Sequence, residues 1–189
     1  MRVTGGSERG RQLKVPPGSL VRPTSDKVKQ ALFNILGDRV RDAVFLDLFA
    51  GAGGIGIESL SRGAERVMFV DASRDSLMAV KQNIEDLGFK DRAETVLSSA
   101  EVFLRKPSGP YDIAFLDPPY AEEMQPLLEM LACAGMLKPD SIVIAEHFKK
   151  QPSPEHACGL SLYRETHYGD TVLAFYKFTS QEPAAGSQE

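Results

Sequence analysis

The sequence has no stretch approaching the roughly 20 consecutive apolar residues that a membrane helix requires, and its N-terminus lacks the apolar core of a signal peptide. A cytoplasmic chain with no membrane partner is therefore expected. Cysteine is scarce: Cys133 and Cys158 stand far apart, without Cys-x-x-Cys or His-Cys ligand spacing. Redox and zinc chemistry have no support, no metal is expected, and Cys133, in an apolar helical stretch, reads as a small buried hydrophobe. Positive charge is also short. Lys and Arg number 22 against 26 Asp and Glu, a net charge of -4, which would argue against a nucleic-acid partner if it were spread evenly.

It is not spread evenly. Met1 to Arg41 carries nine basic and three acidic residues, a net of +6, whereas the remainder carries 13 basic and 23 acidic, a net of -10. Such a basic segment on an acidic body points to an anionic partner, with Arg2, Arg9, Arg11, Arg22 and Lys27 as candidate RNA contacts. A merely solvated arm is the competing reading. With 189 residues, 42% of them hydrophobic, the chain suits one domain over residues 1–179, with a basic arm and helix (1–41) ahead of a core (42–179). Residues 180–189 are polar and small and read as a disordered tail.

From Val44 onward short β-branched or aromatic runs alternate with longer amphipathic ones, the pattern of a parallel sheet covered by helices. Strands are expected at Val44 to Leu48, Arg66 to Asp71, Ala93 to Leu97, Tyr111 to Leu116 and Ser141 to Glu146. Helices are expected at Ile55 to Arg62, Ser73 to Leu87 with Ser73 as its cap, Ala100 to Arg105 and Glu122 to Ala132. Ser161 to His167 and Thr171 to Phe178 alternate around Tyr168-Gly169-Asp170 as a closing antiparallel hairpin. Upstream, Val28, Ala31, Leu32, Ile35 and Leu36 mark an amphipathic helix, and glycines within Met1 to Lys14 suggest a small hairpin. The fold class is α/β and Rossmann-like: a mostly parallel seven-stranded sheet with an antiparallel last strand.

The run Leu46-Asp47-Leu48-Phe49-Ala50-Gly51-Ala52-Gly53-Gly54-Ile55-Gly56 sets a glycine-rich turn between the first strand and helix, where open α/β sheets bind ligands. Gly51, Gly53 and Gly56 satisfy G-x-G-x-x-G, and Asp71, 20 residues after Gly51, can accept hydrogen bonds from ribose hydroxyls. Dinucleotide dehydrogenases share these features. Asp47 shifts the balance, since a carboxylate there would repel a pyrophosphate but suits the ammonium of a methionine moiety. S-adenosyl-L-methionine is the expected cofactor; a tight turn packed by glycines, without ligand, is the plain alternative.

The fourth strand ends in Asp117-Pro118-Pro119-Tyr120. An aromatic exocyclic amine is a poor nucleophile because its lone pair is delocalised into the ring. The Asp117 carboxylate and the Pro118 carbonyl can accept its two hydrogens and aim the lone pair at an electrophilic methyl group. Pro118 and Pro119 stiffen the loop, and Tyr120 offers a face on which a base can stack. A strand end followed by a proline turn would explain the same residues without chemistry, but not their coincidence with the glycine turn and Asp71.

With these motifs in order, the chain resembles the bacterial small-subunit ribosomal RNA (guanine-N2) methyltransferase family, its D member, from Val3 to Lys177. The resemblance rests on Thr4-Gly5-Gly6 with Arg9-Gly10-Arg11, on Arg22-Pro23-Thr24 with Asp26, Lys27 and Val28, on Leu46 to Gly53, and on Asp117 to Tyr120. It implies methylation of a guanine 2-amino group, at nucleotide 966 of 16S rRNA, on an assembling small subunit, by a monomer. It also implies a cofactor site of Asp47, Phe49, Ala50, Gly51, Gly53, Asp71 and Ala72, with Ser99 and Ala100 near the adenine and Arg22 and Thr24 closing the methionine end. The chain departs from the family mainly around Ala145-Glu146-His147 and in its tail. His147, His156 and His167 read as structural.

Three rivals remain. An adenine-N6 methyltransferase would use the same loop, but only about 70 residues follow Tyr120, little room for a DNA base-reading region. A nicotinamide oxidoreductase would need a hydride-transfer acid or base that nothing downstream supplies. A catalytically silent RNA-binding module would use the basic arm alone.

Overall fold

The computed structural model describes residues 1–16, 25–106, 108–119 and 122–179. An N-terminal hairpin, closed by an Arg2–Gln12 bridge, leads to α1 (Asp26–Leu36). Then come β1 (Val44–Leu48), α2 (Gly54–Ser61), β2 (Arg66–Asp71), α3 (Arg74–Asp86), β3 (Ala93–Leu97), α4 (Ala100–Leu104), β4 (Tyr111–Leu116) and α5 (Met124–Cys133). β5 (Leu137–Phe148), β6 (His156–Ala157), β7 (Leu160–Tyr168) and β8 (Thr171–Phe178) complete the chain.

Short polar side chains start the helices. Ser25, Ser73 and Ser99 accept N–H bonds from Val28, Ser76 and Val102 at 3.3, 3.2 and 3.4 Å, satisfying donors that the first helical turn leaves unpaired. The nearly all-apolar β4 lies in the middle of the sheet, as a strand covered on both faces must.

The sheet order is β3-β2-β1-β4-β5-β8-β7-β6. β3, β2, β1, β4 and β5 are parallel, and β8 joins β5 antiparallel. The seven expected strands are all present, and the two-residue β6, too short to leave a sequence signal, adds an eighth at the edge. β5 is longer than expected at both ends: Leu137 pairs with Tyr111 of β4 at one, and pairing with β8 carries it through His147 and Phe148 at the other. Alternation along each strand divides the core in two. Phe45, Phe69, Ile113, Phe115 and Ile144 meet α1, α2, α3 and the hairpin, while Leu46, Leu48, Ala114, Leu116 and Val143 meet α4 and α5.

The N-terminal segment is docked along its length. Val3 and Leu13 are buried in the first core, and Glu58, fully buried on α2, holds the segment there. Glu58 accepts from the Thr4 amide at 2.7 Å, the Thr4 hydroxyl at 2.8 Å and the Arg62 guanidinium at 2.9 Å, and pairs with Lys29 of α1 at 3.4 Å. Lys29 also donates to the Arg2 carbonyl. Burial lowers the Lys29 pKa, and Glu58 opposes that shift.

One expectation is corrected. Cys133 is exposed rather than buried, and it is disulfide-bonded to Cys158, with Cα atoms 6.3 Å apart. The two are 25 residues apart in sequence, so no local spacing announces the pair. It forms because the β6–β7 turn returns beneath the end of α5. His147 is buried and bonded to Ser153 Oγ at 2.8 Å and the Phe148 carbonyl at 3.1 Å. His167 meets Glu165 at 2.7 Å, and His156 meets Ser161 at 3.3 Å. No helix among the described residues is long and apolar enough to cross a membrane.

Candidate active site

The strand order reverses direction between β1 and β4, the point at which open α/β sheets leave a crevice beyond the carboxyl ends of their strands. The β1–α2 turn and the loop after β4 both open there. In the turn, Phe49 has φ 66° and Gly51 φ 54°. A positive φ is costly for a bulky residue such as Phe and is retained where the surroundings impose it. A side chain at Gly51 would meet nothing within 4 Å, so the backbone faces open space where a ligand can approach closely. Gly56 is required for the opposite reason. A Cβ there would lie 2.3 Å from the Phe69 ring and 2.9 Å from the Asp47 carboxylate, and its N–H donates to Asp47 Oδ2 at 2.8 Å.

Asp47 is 1% exposed. Burial pushes its carboxyl well above the usual carboxylate range, opposed by the Gly56 N–H and reinforced by the charges of Asp117 and Asp71. Asp71 shapes the turn as well as facing the crevice: its two oxygens accept the Gly51 and Ser73 amides, each at 2.7 Å. Each oxygen retains a lone pair for a ribose hydroxyl. Ala50 is buried and Ala72 exposed beside these residues. Ser99 caps α4, with Ala100 buried behind it, at the end of β3 on the adenine side of the expected site.

Asp117 follows β4 directly, and burial raises its pKa to about 7. The Pro119 carbonyl is occupied by the Glu122 amide at 2.9 Å. No described residue donates to the Pro118 carbonyl. Arg22, Thr24 and Tyr120, expected at the cofactor and the base, lie outside the described residues. No Lys, Arg or His among the described residues pairs with Asp47, Asp71 or Asp117. This charge pattern fits a cationic ligand and disfavours a pyrophosphate.

The expected RNA contacts fall elsewhere, on the docked segment. Arg2, Arg9, Arg11 and Lys27 are exposed, Arg2 pairing with Asp26 at 2.7 Å and Arg11 with Glu8 at 3.4 Å. Two contributions escape a reading of the sequence. Gly56 holds Asp47 in place, which its position as third glycine of the motif could have suggested. Lys29 ties the basic segment to Glu58, and a lysine on a helix gives no sign of burial.

A family model described as Conserved hypothetical protein 95 matches residues 1–177. The chain belongs to that family. Its relatives include Ribosomal RNA small subunit methyltransferase D of Escherichia coli K12, 32% identical over 182 residues, 96% of this chain and 91% of its own. YlbH of Bacillus subtilis 168 is 40% identical over 181 residues, 94% of this chain and 98% of its own. Among solved structures, yhhF from Escherichia coli superposes with a TM-score of 0.87 at 33% identity, covering 96% of this chain and 99% of that one. An RNA methyltransferase from Salinibacter ruber in complex with S-adenosyl-L-homocysteine shares the fold, with a TM-score of 0.66 at 16% identity, covering 86% and 97%.

Proposed function

We propose that this chain methylates the 2-amino group of a guanine in 16S rRNA, at nucleotide 966, on an assembling small subunit in the cytoplasm. S-adenosyl-L-methionine is its cofactor. The observation that carries the reading is the convergence of Asp47, Asp71 and Asp117 at the switch point with no cation paired to them among the described residues. Its likeness to Ribosomal RNA small subunit methyltransferase D supplies ribosomal RNA as substrate, and guanine N2 is the finer expectation of the family resemblance.

When bound, the cofactor supplies an electrophilic methyl group on a sulfonium. The residues of the chain do the rest. Asp47 would hold the ammonium of the methionine moiety, Asp71 the ribose, Ser99 and Ala100 the adenine, and Arg22 and Thr24 would close the methionine end. Asp117 and the Pro118 carbonyl accept the two amine hydrogens, drawing the nitrogen out of conjugation so that its lone pair faces the methyl carbon. Pro119 stiffens the loop and Tyr120 stacks on the extruded base. Arg2, Arg9, Arg11, Arg22 and Lys27 contact phosphates, and the protein acts as a monomer.

Incubation with labelled S-adenosyl-L-methionine and immature small ribosomal particles, followed by nucleoside analysis, tests this. Label in N2-methylguanosine at nucleotide 966 is the expected result. Label in N6-methyladenosine would transfer the reading to an adenine enzyme, and unlabelled RNA would overturn it.

A further inference from the structure

Strand register fixes the relation of the three carboxylates. Asp47 lies opposite Phe69 of β2 and Phe115 of β4. Asp71 and Asp117, each two residues beyond those partners, therefore share its face of the sheet. Around Asp47 are the Gly56 amide from α2, Asp71 from β2 and Asp117 from β4. Around Asp71 are the Gly51 and Ser73 amides. Lys29, buried, and Arg62, partly buried, are already committed to Glu58. Asp47 is fully buried and Asp117 half-buried on that shared face; with the Gly56 amide donating to Asp47 and no ion pair to either among the described residues, the two cannot both be ionised cheaply, so they titrate as a pair. A protonated Asp117 could still accept a hydrogen bond through its carbonyl oxygen but could not take up the amine's surplus proton, so the transfer requires the pair to lose its proton first.

We propose that the Asp47–Asp117 pair holds a proton until the cationic methyl donor binds, releases it on binding, and regains one from the amine at Asp117 as the methyl group is transferred. This rests on the cofactor crevice assigned above. In the transfer, the amine lone pair forms the N–C bond and the C–S bonding pair goes to sulfur, leaving a neutral thioether. The surplus N–H proton passes to an Asp117 oxygen. The cofactor's positive charge and the Asp117 carboxylate's negative charge thus disappear together. The pair consequently distinguishes donor from product by charge. S-adenosylmethionine displaces the proton; S-adenosylhomocysteine, lacking the sulfonium, leaves it. The elevation of Asp117 to about 7 sets the window: preference for donor over product rises by up to about tenfold per pH unit below 7 and flattens above it.

Titration calorimetry of the full chain at pH 6.5, in buffers of differing ionisation enthalpy, counts the protons. At that pH both ligands carry a protonated α-amine, whose ordinary pKa is about 8. Release of between half and one proton with S-adenosylmethionine, and clearly less with S-adenosylhomocysteine, is expected; the difference should vanish at pH 8.5 and in Asp117→Asn. Equal counts for the two ligands in the wild-type chain at pH 6.5 would overturn the proton exchange while leaving the crevice assignment standing. Wild-type affinity for S-adenosylmethionine in folded Asp47→Asn, together with an unchanged proton count in Asp117→Asn, would overturn both.

Discussion

Helix α2 has a buried carboxylate near each end, and the two are treated in opposite ways. At its C-terminal half, Glu58 is surrounded by the Thr4 amide and hydroxyl, the Arg62 guanidinium and the Lys29 ammonium. At its N-terminus, Asp47 receives the Gly56 amide and faces two more carboxylates. Burial is almost the same, 0% and 1% exposed, so burial alone does not decide what a charge does. Glu58 has its compensation built into the chain and joins three segments. Asp47 and its neighbours are arranged for compensation that must arrive from outside. The first centre is structural, the second receptive.

Removing Glu58 should have the largest effect. Glu58→Ala leaves Lys29 buried without its partner and should cost about 3 to 5 kcal/mol, read by urea denaturation. Replacing Lys29 and Glu58 together with Met and Leu should recover most of that loss. A cost below about 1 kcal/mol for the single change would remove the contrast between the two centres. Asp117→Ala comes next: methyl transfer should fall by about 10²- to 10³-fold, with S-adenosylmethionine affinity held within a few-fold. Equal loss of both in single-turnover and binding measurements would make Asp117 a cofactor ligand instead.

A smaller effect concerns stability against pH. The Asp117 pKa is raised in the folded chain to about 7, so between about pH 4 and pH 7 the folded state binds more protons than the unfolded one. Its contribution therefore favours the ligand-free protein at low pH and is lost as pH rises through that window. Asp117→Asn should remove the decline and melt a few degrees above wild type at pH 8, at about 2 to 4 °C per kcal/mol for a chain this size, while matching it near pH 4. A constant difference at both pH values would separate the effect from titration. The mildest change is on the arm. Arg9→Ala with Arg11→Ala should lower the salt slope of RNA binding by about 0.7 for each phosphate no longer neutralised and leave thermal stability nearly unchanged. An unchanged slope would return these residues to the solvated reading.

The receptive centre is largely legible in the sequence, because its chemistry is concentrated at strand ends. Alternation locates β1, β2 and β4, and Asp47, Asp71 and Asp117 follow from their positions on them. The structural centre is not legible. Thr4, Lys29, Glu58 and Arg62 come from three distant segments, and nothing in helical periodicity distinguishes a buried Lys29 from the nearby, exposed Lys27. The Cys133–Cys158 bond escapes for the same reason, since each cysteine stands alone in its own element. Charge alone marks the arm as an appendage, whereas Val3 and Leu13 pack it into the core. Patterns within a segment can be read directly, but the pairing of segments must await the fold.

The docked N-terminus also sets an order of events during synthesis. Thr4 leaves the ribosome well ahead of its partner Glu58, which follows 54 positions later, and Lys14 ahead of Asn83, which accepts its amide, by 69 positions. Chains fold from the N-terminus as they emerge, but this segment has nothing to close upon until α2 and α3 are complete. A segment translated ahead of its partners is thus among the later ones to settle, and until then a basic, partly apolar strand trails from the nascent chain.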